Sequence, residues 1–311
     1  MGRSATRTFR FDFQDFLVGT AEYPAGPTGC TVLRFPRDAA GAIDVRGGAA
    51  AVRESTALEA DNSFGLLDAL FFAGGSTYGL DVGSGVMREL LGLRRGRTGF
   101  ADIPAVPGAV VYDFEGRDDA RVHPDAELGA RAFREARTGE VLVGRAGAGA
   151  NVSVGSFLGA DYAERSGQGA AFGRVAGLRI FALSVVNAVG NVLDRSGRIV
   201  AGSRDPRTGE RLAVTDGLLR LAPQRRGPRR HTTLTALVTD AELNHAELQR
   251  LAVMAHSALG RVIEPFATPL DGDSLFAVST GTVQLRRGWS VAELGAFAGQ
   301  LVQDAVLEAV R

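Results

Sequence analysis

The stretch that decides how this chain folds is residues 232–238, TTLTALV, which follows the basic, turn-rich segment 224–231, QRRGPRRH. Aliphatic and β-branched residues that follow a Gly/Pro loop predict a buried β-strand, and this strand begins at a hydroxyl-bearing threonine. If the chain were cut before Thr232, its new α-amine would titrate near ~8 and serve as a base for the hydroxyl beside it. The segment alone fits two interpretations, an ordinary strand start after a surface loop and a latent N-terminal nucleophile.

Composition limits the classes of function. The 311 residues are 45% hydrophobic and carry 35 basic and 35 acidic side chains, so no net charge draws the chain to nucleic acid or to an anionic membrane. No segment offers ~18 uninterrupted apolar residues, and we expect a cytoplasmic globular protein without membrane or nucleic-acid partners. The single cysteine, Cys30, excludes an intrachain disulfide and is expected to be a buried small side chain.

All basic residues other than histidine are arginines. Because the chain has no lysine, no side-chain amine is available as a base or as a phosphate-binding group. The remaining amines are α-amines. A cut before Thr232 would create such an amine next to the threonine hydroxyl.

Hydrophobic periodicity predicts alternating strands and helices, and hence an α/β protein in which helices cover a sheet. The predicted strands are residues 9–13, 29–35, 109–114, 178–186, 234–239 and 275–280. The predicted helices are residues 80–91, 124–136, 244–259 and a C-terminal helix after Ser290, with capping boxes formed by Asn244 with Glu247 and by Ser290 with Glu293.

Three sequence patterns, rich in glycine, histidine or arginine, are of types found in binding sites. The glycine-rich run 144–151 lacks the Gly-Lys-Ser/Thr step of a phosphate loop and the third glycine of a dinucleotide fingerprint. It therefore predicts close backbone packing, of the kind that can surround a pocket. The four histidines do not stand at metal-ligand spacing, and we expect no metal or organic cofactor; His256 is assigned a structural or interfacial role. The arginine-rich region 205–231 is expected to be a solvated loop; its arginines are Arg220, Arg225, Arg226, Arg229 and Arg230.

Two further positions carry chemistry if Thr232 does. Asp271 and Asp273 precede a predicted strand, where they either form a turn or hold the amine of Thr232 in place. Asn187 ends an apolar strand, where its amide either satisfies a turn or donates to a developing oxyanion.

The sequence resembles the P1 family of self-processing N-terminal-nucleophile aminopeptidases and amidases over nearly its full length. The resembling stretches are residues 9–13, 26–29, 44–48, 78–80, 97–100, 145–149, 167–172 and 271–278. The resemblance implies a four-layer α/β/β/α sandwich in one hydrolase domain, residues 1–311, that cleaves itself between His231 and Thr232 into chains 1–231 and 232–311. It also implies a small amide or peptide substrate, no cofactor, and a homo-oligomer, usually a tetramer of processed pairs.

The family's scheme assigns residues to roles. Thr232 matches the nucleophile, Asn187 the oxyanion-type asparagine, and Asp271 and Asp273 the acidic pair. Ser156 and Tyr78 match substrate-binding or auxiliary positions.

Two positions depart from the family pattern. Ser156 stands where many relatives have a lysine, and His231 precedes the cut where Asn or Gly is usual. The leading hypothesis is therefore an autoproteolytic threonine hydrolase, with two alternatives: a self-processing acyltransferase of the ornithine acetyltransferase type, and a catalytically weakened relative that binds peptides.

Overall fold

The structure, a computed structural model, describes residues 6–59, 65–220 and 231–311, so Arg225, Arg226, Arg229 and Arg230 of the predicted loop lie outside the described residues. The strands are β1, Arg7–Arg10; β2, Leu17–Tyr23; β3, Thr28–Val45; β4, Val52–Arg53; β5, Leu66–Ala73; β6, Gly108–Val110; β7, Glu140–Val143; β8, Ser153–Val154; β9, Glu164–Arg165; β10, Gln168–Val175; β11, Leu178–Asn187; β12, Asn191–Leu193; β13, Ile199–Ala201; β14, Thr232–Ala241; β15, Ile263–Glu264; and β16, Ser274–Val283. The α-helices are α1, Val82–Leu93; α2, Ala126–Arg134; α3, Val214–Arg220; α4, His245–Ala258; and α5, Val291–Ala309.

The largest sheet in the described part of the chain has nine strands, in the order β10-β11-β14-β16-β3-β5-β6-β4, with β2 paired to β3. The 18-residue strand β3 belongs to both halves of this sheet. Its first part pairs with β2 and β5, its last part pairs with β16, and the pairing with β5 is interrupted between Arg34 and Ala39. This long strand therefore carries the chain from one sheet layer to the other.

Three hydrophobic cores separate four layers. The outer core under α1 and α2 includes Cys30, Val32, Phe71, Val82 and Leu128. The middle core, between the two halves of the sheet, includes Phe16, Leu33, Phe72, Phe181 and Phe276. The outer core under α4 and α5 includes Ile180, Leu237, Leu251, Leu275 and Val302. This layering confirms the predicted α/β/β/α sandwich.

The alternation along β14 shows how the sequence produces these layers. Leu234, Ala236 and Val238 face the middle core, whereas Leu237 faces the core under α4 and α5. Because side chains alternate across a strand, one strand with apolar residues on both faces joins two cores. The continuous run at 232–238 therefore predicts the central position that β14 occupies.

The helix starts agree with the sequence. The capping boxes of α4, at Asn244 and Glu247, and of α5, at Ser290 and Glu293, are both present. In each box the cap side chain accepts from a backbone N–H and the glutamate accepts from the cap's own N–H, so donors that the helix leaves unpaired are satisfied.

Two strand predictions were too long. β1 ends at Arg10, and Phe11 and Phe13 instead enter the middle core. β6 ends at Val110, because Asp113 leaves the sheet direction to accept hydrogen bonds from the Thr28 hydroxyl at 2.5 Å and the Gly75 N–H at 2.7 Å. Burial of side chains in one segment and side-chain hydrogen bonds to distant residues in the other therefore replaced strand pairing.

Other sequence predictions concern single residues. Cys30 is buried, as predicted, and burial raises the pKa of its thiol, which keeps the thiol protonated. The glycine run does pack closely on other backbone: a Cβ added at Gly149 would lie 2.3 Å from the nitrogen of Gln168. No helix in residues 6–59, 65–220 and 231–311 has both the length and the apolar character to cross a bilayer.

Candidate active site

The predicted site residues meet where three strands start or end side by side. β14 and β16 run parallel, so the first residue of β14, Thr232, lies beside the segment that leads into β16, which contains Asp271 and Asp273. β11 runs antiparallel to β14, and the register places its last residue, Asn187, opposite Thr232. The sheet topology thus brings together four residues that are distant in sequence.

The peptide bond between His231 and Thr232 lies at the centre of this cluster. The Thr232 hydroxyl donates to the carbonyl oxygen of His231 at 2.5 Å. The same oxygen accepts the backbone N–H of Gly272 at 2.7 Å, and the His231 N–H donates to the carbonyl oxygen of Leu270 at 3.1 Å. The carbonyl before Thr232 is therefore fixed between a hydroxyl and a backbone amide.

Gly272 allows this close approach because it has no side chain. A Cβ at this position would lie 2.7 Å from Thr232 Oγ1 and 3.0 Å from the carbonyl oxygen of Ala49. Any other residue would displace either the Thr232 hydroxyl or the neighbouring backbone. Gly272 was not predicted as a site residue, although its place between Asp271 and Asp273 is a signal that the sequence contains.

The two positions that depart from the family pattern touch each other. The imidazole Nε2 of His231 lies 2.7 Å from Ser156 Oγ, and both residues are almost fully buried, at 2% and 3% exposure. Ser156 begins a single 3-10 turn, Ser156–Leu158, just after Gly155. The residue before the predicted cut is thus held by its side chain as well as by its backbone.

The acidic pair binds backbone amides. Asp273 accepts the N–H of Thr233 at 2.7 Å and that of Ala267 at 3.1 Å. Asp271 accepts the N–H of Val189 at 3.1 Å and the hydroxyl of Thr268 at 2.5 Å. In the uncut chain these carboxylates fix the loop and the start of β14, and they lie beside Thr232 without a hydrogen bond to its hydroxyl.

Burial changes the protonation of both carboxyls. Burial raises the pKa of Asp271, and burial together with the charge of Asp271 raises the pKa of Asp273 to about 7. Two buried carboxyls this close do not both ionise easily, because each charge disfavours the other. Near neutral pH the pair therefore carries less than two full negative charges.

A glycine pair, Gly47-Gly48, packs against the same loop. A Cβ at Gly47 would lie 2.2 Å from the carbonyl oxygen of Asp271, and one at Gly48 would lie 2.8 Å from Cα of Pro269. The N–H of Arg46 also donates to the carbonyl oxygen of Asp273 at 3.0 Å. The residues that follow β3 therefore pack against the loop that contains Asp271 and Asp273 and hold it in place.

The remaining predicted residues lie at the edge of the cluster or apart from it. The Asn187 amide donates to the carbonyl oxygen of Tyr112 at 3.0 Å and accepts the N–H of Ser153 at 3.2 Å, so its orientation is fixed. Tyr78 lies in the 3-10 helix Ser76–Asp81 and is 58% exposed, and its ring packs on His123 with centroids 5.2 Å apart. Among the described residues, no hydrogen bond joins Tyr78 to the Thr232 cluster.

His256 has the structural surroundings that the sequence predicted. It is buried on α4, its Nδ1 lies 2.8 Å from Asp44 Oδ2, and its ring packs edge-on against Phe266. Burial lowers the pKa of its imidazole. In the part of the chain that the structure describes, no group of three His, Cys, Asp or Glu residues is arranged to hold a metal ion.

Comparisons with known proteins identify the family of this chain. The model of Peptidase family S58 matches residues 11–311. The 6-aminohexanoate-oligomer endohydrolase of Kocuria sp. (strain KY2) is 41% identical over 316 aligned residues, which cover 98% of this chain and 86% of that protein.

Two solved structures share the fold. A β-aminopeptidase of Burkholderia sp. matches with a TM-score of 0.69 at 21% identity. The match covers 94% of this chain and 83% of the aminopeptidase chain. An L-aminopeptidase D-Ala-esterase/amidase of Ochrobactrum anthropi, described as a variant of the Ntn hydrolase fold, has a TM-score of 0.68 at 18% identity and covers 95% of this chain and 83% of that one.

The fold is therefore that of the N-terminal-nucleophile hydrolases. The chain belongs to Peptidase family S58, and the protein is an amide-bond hydrolase. The family resemblance found in the sequence is confirmed, and the relatives that are 40–41% identical include 6-aminohexanoate-oligomer endohydrolases.

Proposed function

We propose that this chain cleaves itself between His231 and Thr232, and that the released Thr232 is the nucleophile of an amidase for amino-terminated oligomers or small peptides. One observation carries the proposal: the Thr232 hydroxyl contacts the carbonyl group before it, whose oxygen is also bound by the N–H of Gly272. A nucleophile held against a polarised carbonyl is the arrangement that acyl transfer requires.

Self-cleavage proceeds in two steps. Thr232 Oγ1 attacks the carbonyl carbon of His231, the carbon–nitrogen bond to Thr232 breaks, and the hydroxyl proton passes to the departing nitrogen. Water then hydrolyses the resulting ester: the water oxygen becomes part of a carboxylate on His231, one water proton goes to Thr232 Oγ1, and the other is released to solvent. During the attack the oxyanion forms at the oxygen that already accepts the Gly272 N–H at 2.7 Å.

Turnover repeats this chemistry on a substrate. The free α-amine of Thr232 takes the hydroxyl proton as Oγ1 attacks the substrate amide, and the proton then goes to the departing amine. Water releases the acyl group from the ester. The Gly272 N–H and the Asn187 amide, whose direction is fixed by Tyr112 and Ser153, stabilise the oxyanion.

The acidic pair positions the amine that cleavage creates. Asp273 already binds the N–H of Thr233, one residue after the nucleophile. A fully charged pair of carboxylates would raise the pKa of the amine and reduce its free-base fraction. Because the pKa of Asp273 is itself raised to about 7, a shared proton weakens that effect near neutral pH.

Intact-mass measurement tests the proposal. We expect the purified protein to show two masses, for residues 1–231 and 232–311, and to hydrolyse 6-aminohexanoate oligomers, the substrate named for the Kocuria relative. Thr232→Ala is expected to remain one chain and to lose more than roughly 10³-fold in activity. Thr235→Val, which alters another buried threonine of the same strand, bonded to Ser184, is the matched control and is expected to be cut.

The outcomes separate the alternatives. An unbroken wild-type chain after long incubation refutes the mechanism. A cut chain that transfers acetyl groups to ornithine instead of to water indicates the acyltransferase, and a cut chain that turns over neither amides nor esters indicates a binding protein.

We further propose that the processed chains assemble into a tetramer in the cytoplasm. Exposed apolar side chains support an assembly; they include Leu93, Phe100 and Leu219, which are 58%, 79% and 88% exposed. Sedimentation of the processed protein measures its mass directly.

A further inference from the structure

The direction of the Asn187 amide is set by two backbone groups outside its own strand. Its nitrogen donates to the carbonyl oxygen of Tyr112 at 3.0 Å, and its oxygen accepts the N–H of Ser153 at 3.2 Å. An amide nitrogen carries two hydrogens, so the bond to Tyr112 fixes where the second hydrogen points. The positions of the backbone at residues 112 and 153 therefore decide where Asn187 can donate.

The first of these anchors, the Tyr112 carbonyl, lies beyond the end of β6, which stops at Val110. A buried side-chain amide holds the backbone there in place of strand pairing. The Asn151 nitrogen donates to the carbonyl oxygen of Asp113 at 2.8 Å and, over a longer distance of 3.4 Å, to that of Glu115. Because both bonds reach the same segment, Asn151 fixes the backbone next to the Tyr112 carbonyl.

The two anchors of Asn187 are joined to each other through residues 151–153. Ser153, two residues after Asn151, gives its N–H to Asn187 and its hydroxyl to the Glu115 carboxylate at 2.7 Å. Three hydrogen bonds and two short stretches of chain, 112–113 and 151–153, thus close a ring that includes the Asn187 amide. A shift at one point of a closed ring moves the others, so Asn151 acts on Asn187 through the backbone.

Asn151 is itself firmly placed. It follows the 3-10 turn Gly147–Gly149, and a Cβ at Gly149 would lie 2.3 Å from the nitrogen of Gln168. Asn151 is 2% exposed, and its side-chain oxygen accepts from the Arg165 guanidinium at 2.9 Å. The glycine-rich run, which matches no complete nucleotide motif, therefore ends in a rigid buried amide beside the candidate site.

We propose that Asn151 is a positioning residue for amide hydrolysis: by holding residues 112–115, it aims the Asn187 amide at the oxyanion. The inference rests on the proposed role of Asn187 and adds a residue to that site. Donors stabilise a developing charge best when their direction is fixed before the reaction, and a displacement of about 1 Å costs up to roughly 100-fold in rate. The Asp113 carboxyl is bonded as well, so the segment stays partly held without Asn151 and a smaller loss is expected.

A double-mutant cycle tests this role on protein whose cleavage has first been verified by intact mass. The probe is a linear 6-aminohexanoate oligomer, the substrate named for the Kocuria relative. Asn151→Ala is expected to lower kcat about 10-fold and to change KM less than about twofold, and Asn187→Ala to lower kcat about 100-fold. Added to Asn187→Ala, Asn151→Ala is expected to cost less than about twofold more, because the amide that it aims is gone.

Gln303→Ala is the matched control. Gln303 lies in α5, is 5% exposed, and donates its side-chain amide to the carbonyl oxygen of Ala258 at 3.3 Å, so it too is a buried amide that binds backbone. Its loss is expected to leave kcat within about twofold of the wild-type value. A loss as large as that of Asn151→Ala would show that turnover responds to any buried amide and would overturn the inference.

Two results of the cycle also overturn the positioning role. One is an equal loss from Asn151→Ala with and without Asn187, and the other is no loss at all. If Asn151→Ala is not cut, Asn151→Asp replaces it, because a charged aspartate keeps the size and the acceptor for Arg165 but has no donor hydrogen. If both stay uncut beside a processed wild type, Asn151 serves folding or cleavage and the inference fails.

The remaining outcomes separate this inference from the proposed function. If Asn187→Ala is not cut, Asn187→Asp takes its place in the cycle. Full activity of the processed Asn187 variant removes this amide from the oxyanion and overturns the inference, while Thr232 stays the proposed nucleophile. A wild-type chain that is never cut refutes the proposed function, whereas a cut, active enzyme with additive losses refutes this inference alone.

Discussion

A buried carboxyl lies at each end of β14, Asp240 within the strand and Asp273 beside its first residues, and the two carboxyls differ in their partners. At the far end, Asp240 is fully buried and binds the Nε of Arg179 at 2.7 Å and its backbone N–H at 2.8 Å. At the near end, Asp273 is equally buried and binds the backbone amides of Thr233 and Ala267. The charge that acts on Asp273 is that of another carboxyl, Asp271, which raises its pKa further.

In the proposed mechanism this difference separates a structural carboxyl, Asp240, from the carboxyl at the reactive end of the strand, Asp273. A buried carboxylate with a guanidinium is compensated and stabilises the fold as long as both partners remain. A buried carboxyl without a cation costs stability in its charged form, and proteins concentrate such groups at functional sites. β14 therefore begins beside a pair of buried carboxyls and ends at an ion pair.

The largest effect is expected at the reactive end from Gly272→Ala. The new Cβ would lie 2.7 Å from Thr232 Oγ1, so the hydroxyl or the Gly272 N–H must leave the His231 carbonyl. We expect self-cleavage to slow by about 100-fold, as when an oxyanion donor is lost. A time course of intact masses measures this rate.

Gly92→Ala is the matched control for that experiment. Gly92 lies in α1, and a Cβ there meets nothing within 4 Å. It is expected to be cut at the wild-type rate. Wild-type cleavage by a folded Gly272→Ala would show that the contact with His231 does not limit the reaction.

The next largest effect is a difference in the free energy of unfolding between two variants, Asp240→Asn and Asp273→Asn. Each is made in the uncut Thr232→Ala chain. At pH 8, Asp240→Asn is expected to lower the free energy of unfolding by about 2 kcal/mol, because it leaves the partly buried Arg179 without its partner. Asp273→Asn is expected to cost less than about 1 kcal/mol, since removing an uncompensated buried charge offsets a weakened hydrogen bond. Urea unfolding of the two variants measures both values, and equal losses would contradict the distinction.

Much of the fold was predictable from local sequence signals. The apolar runs gave β11, β14 and β16, and both capping boxes gave the starts of α4 and α5. The failures at 11–13 and 111–114 arose where tertiary burial or a side-chain hydrogen bond replaced strand pairing. Those contacts depend on partners that the local pattern does not contain.

The site was predictable in its residue types but not in its contacts. Thr232 and the aspartates follow from their chemistry and from the resemblance, whereas their meeting depends on the parallel pairing of β14 with β16. The contact between Ser156 and His231 joins residues 75 positions apart, and no periodicity or motif relates them. Gly272 acts through its N–H and its lack of a side chain, two properties that a residue-type search for catalytic groups passes over.

The smallest expected effect is the pH dependence of stability that the reactive end imposes. The pKa of Asp273 is about 7 in the folded chain, against ~3.9 in an unfolded one, so between these values the folded chain holds a proton that the unfolded chain has lost. Stability from this group is therefore lost as pH rises from about 4 through about 7. The free energy of unfolding falls by at most about 1.4 kcal/mol per pH unit from this one group. Between pH 6 and 7 we expect Asp273 to contribute a loss of about 1 kcal/mol. The loss is below the limit because its proton is partly released near pH 7 and the pair titrates together. Urea unfolding of the uncut Thr232→Ala chain at pH 5, 6 and 7, with and without Asp273→Asn, measures how the free energy of unfolding changes with pH. The asparagine variant is expected to lose the contribution of Asp273. Identical pH dependences in the two chains would place the proton elsewhere in the pair.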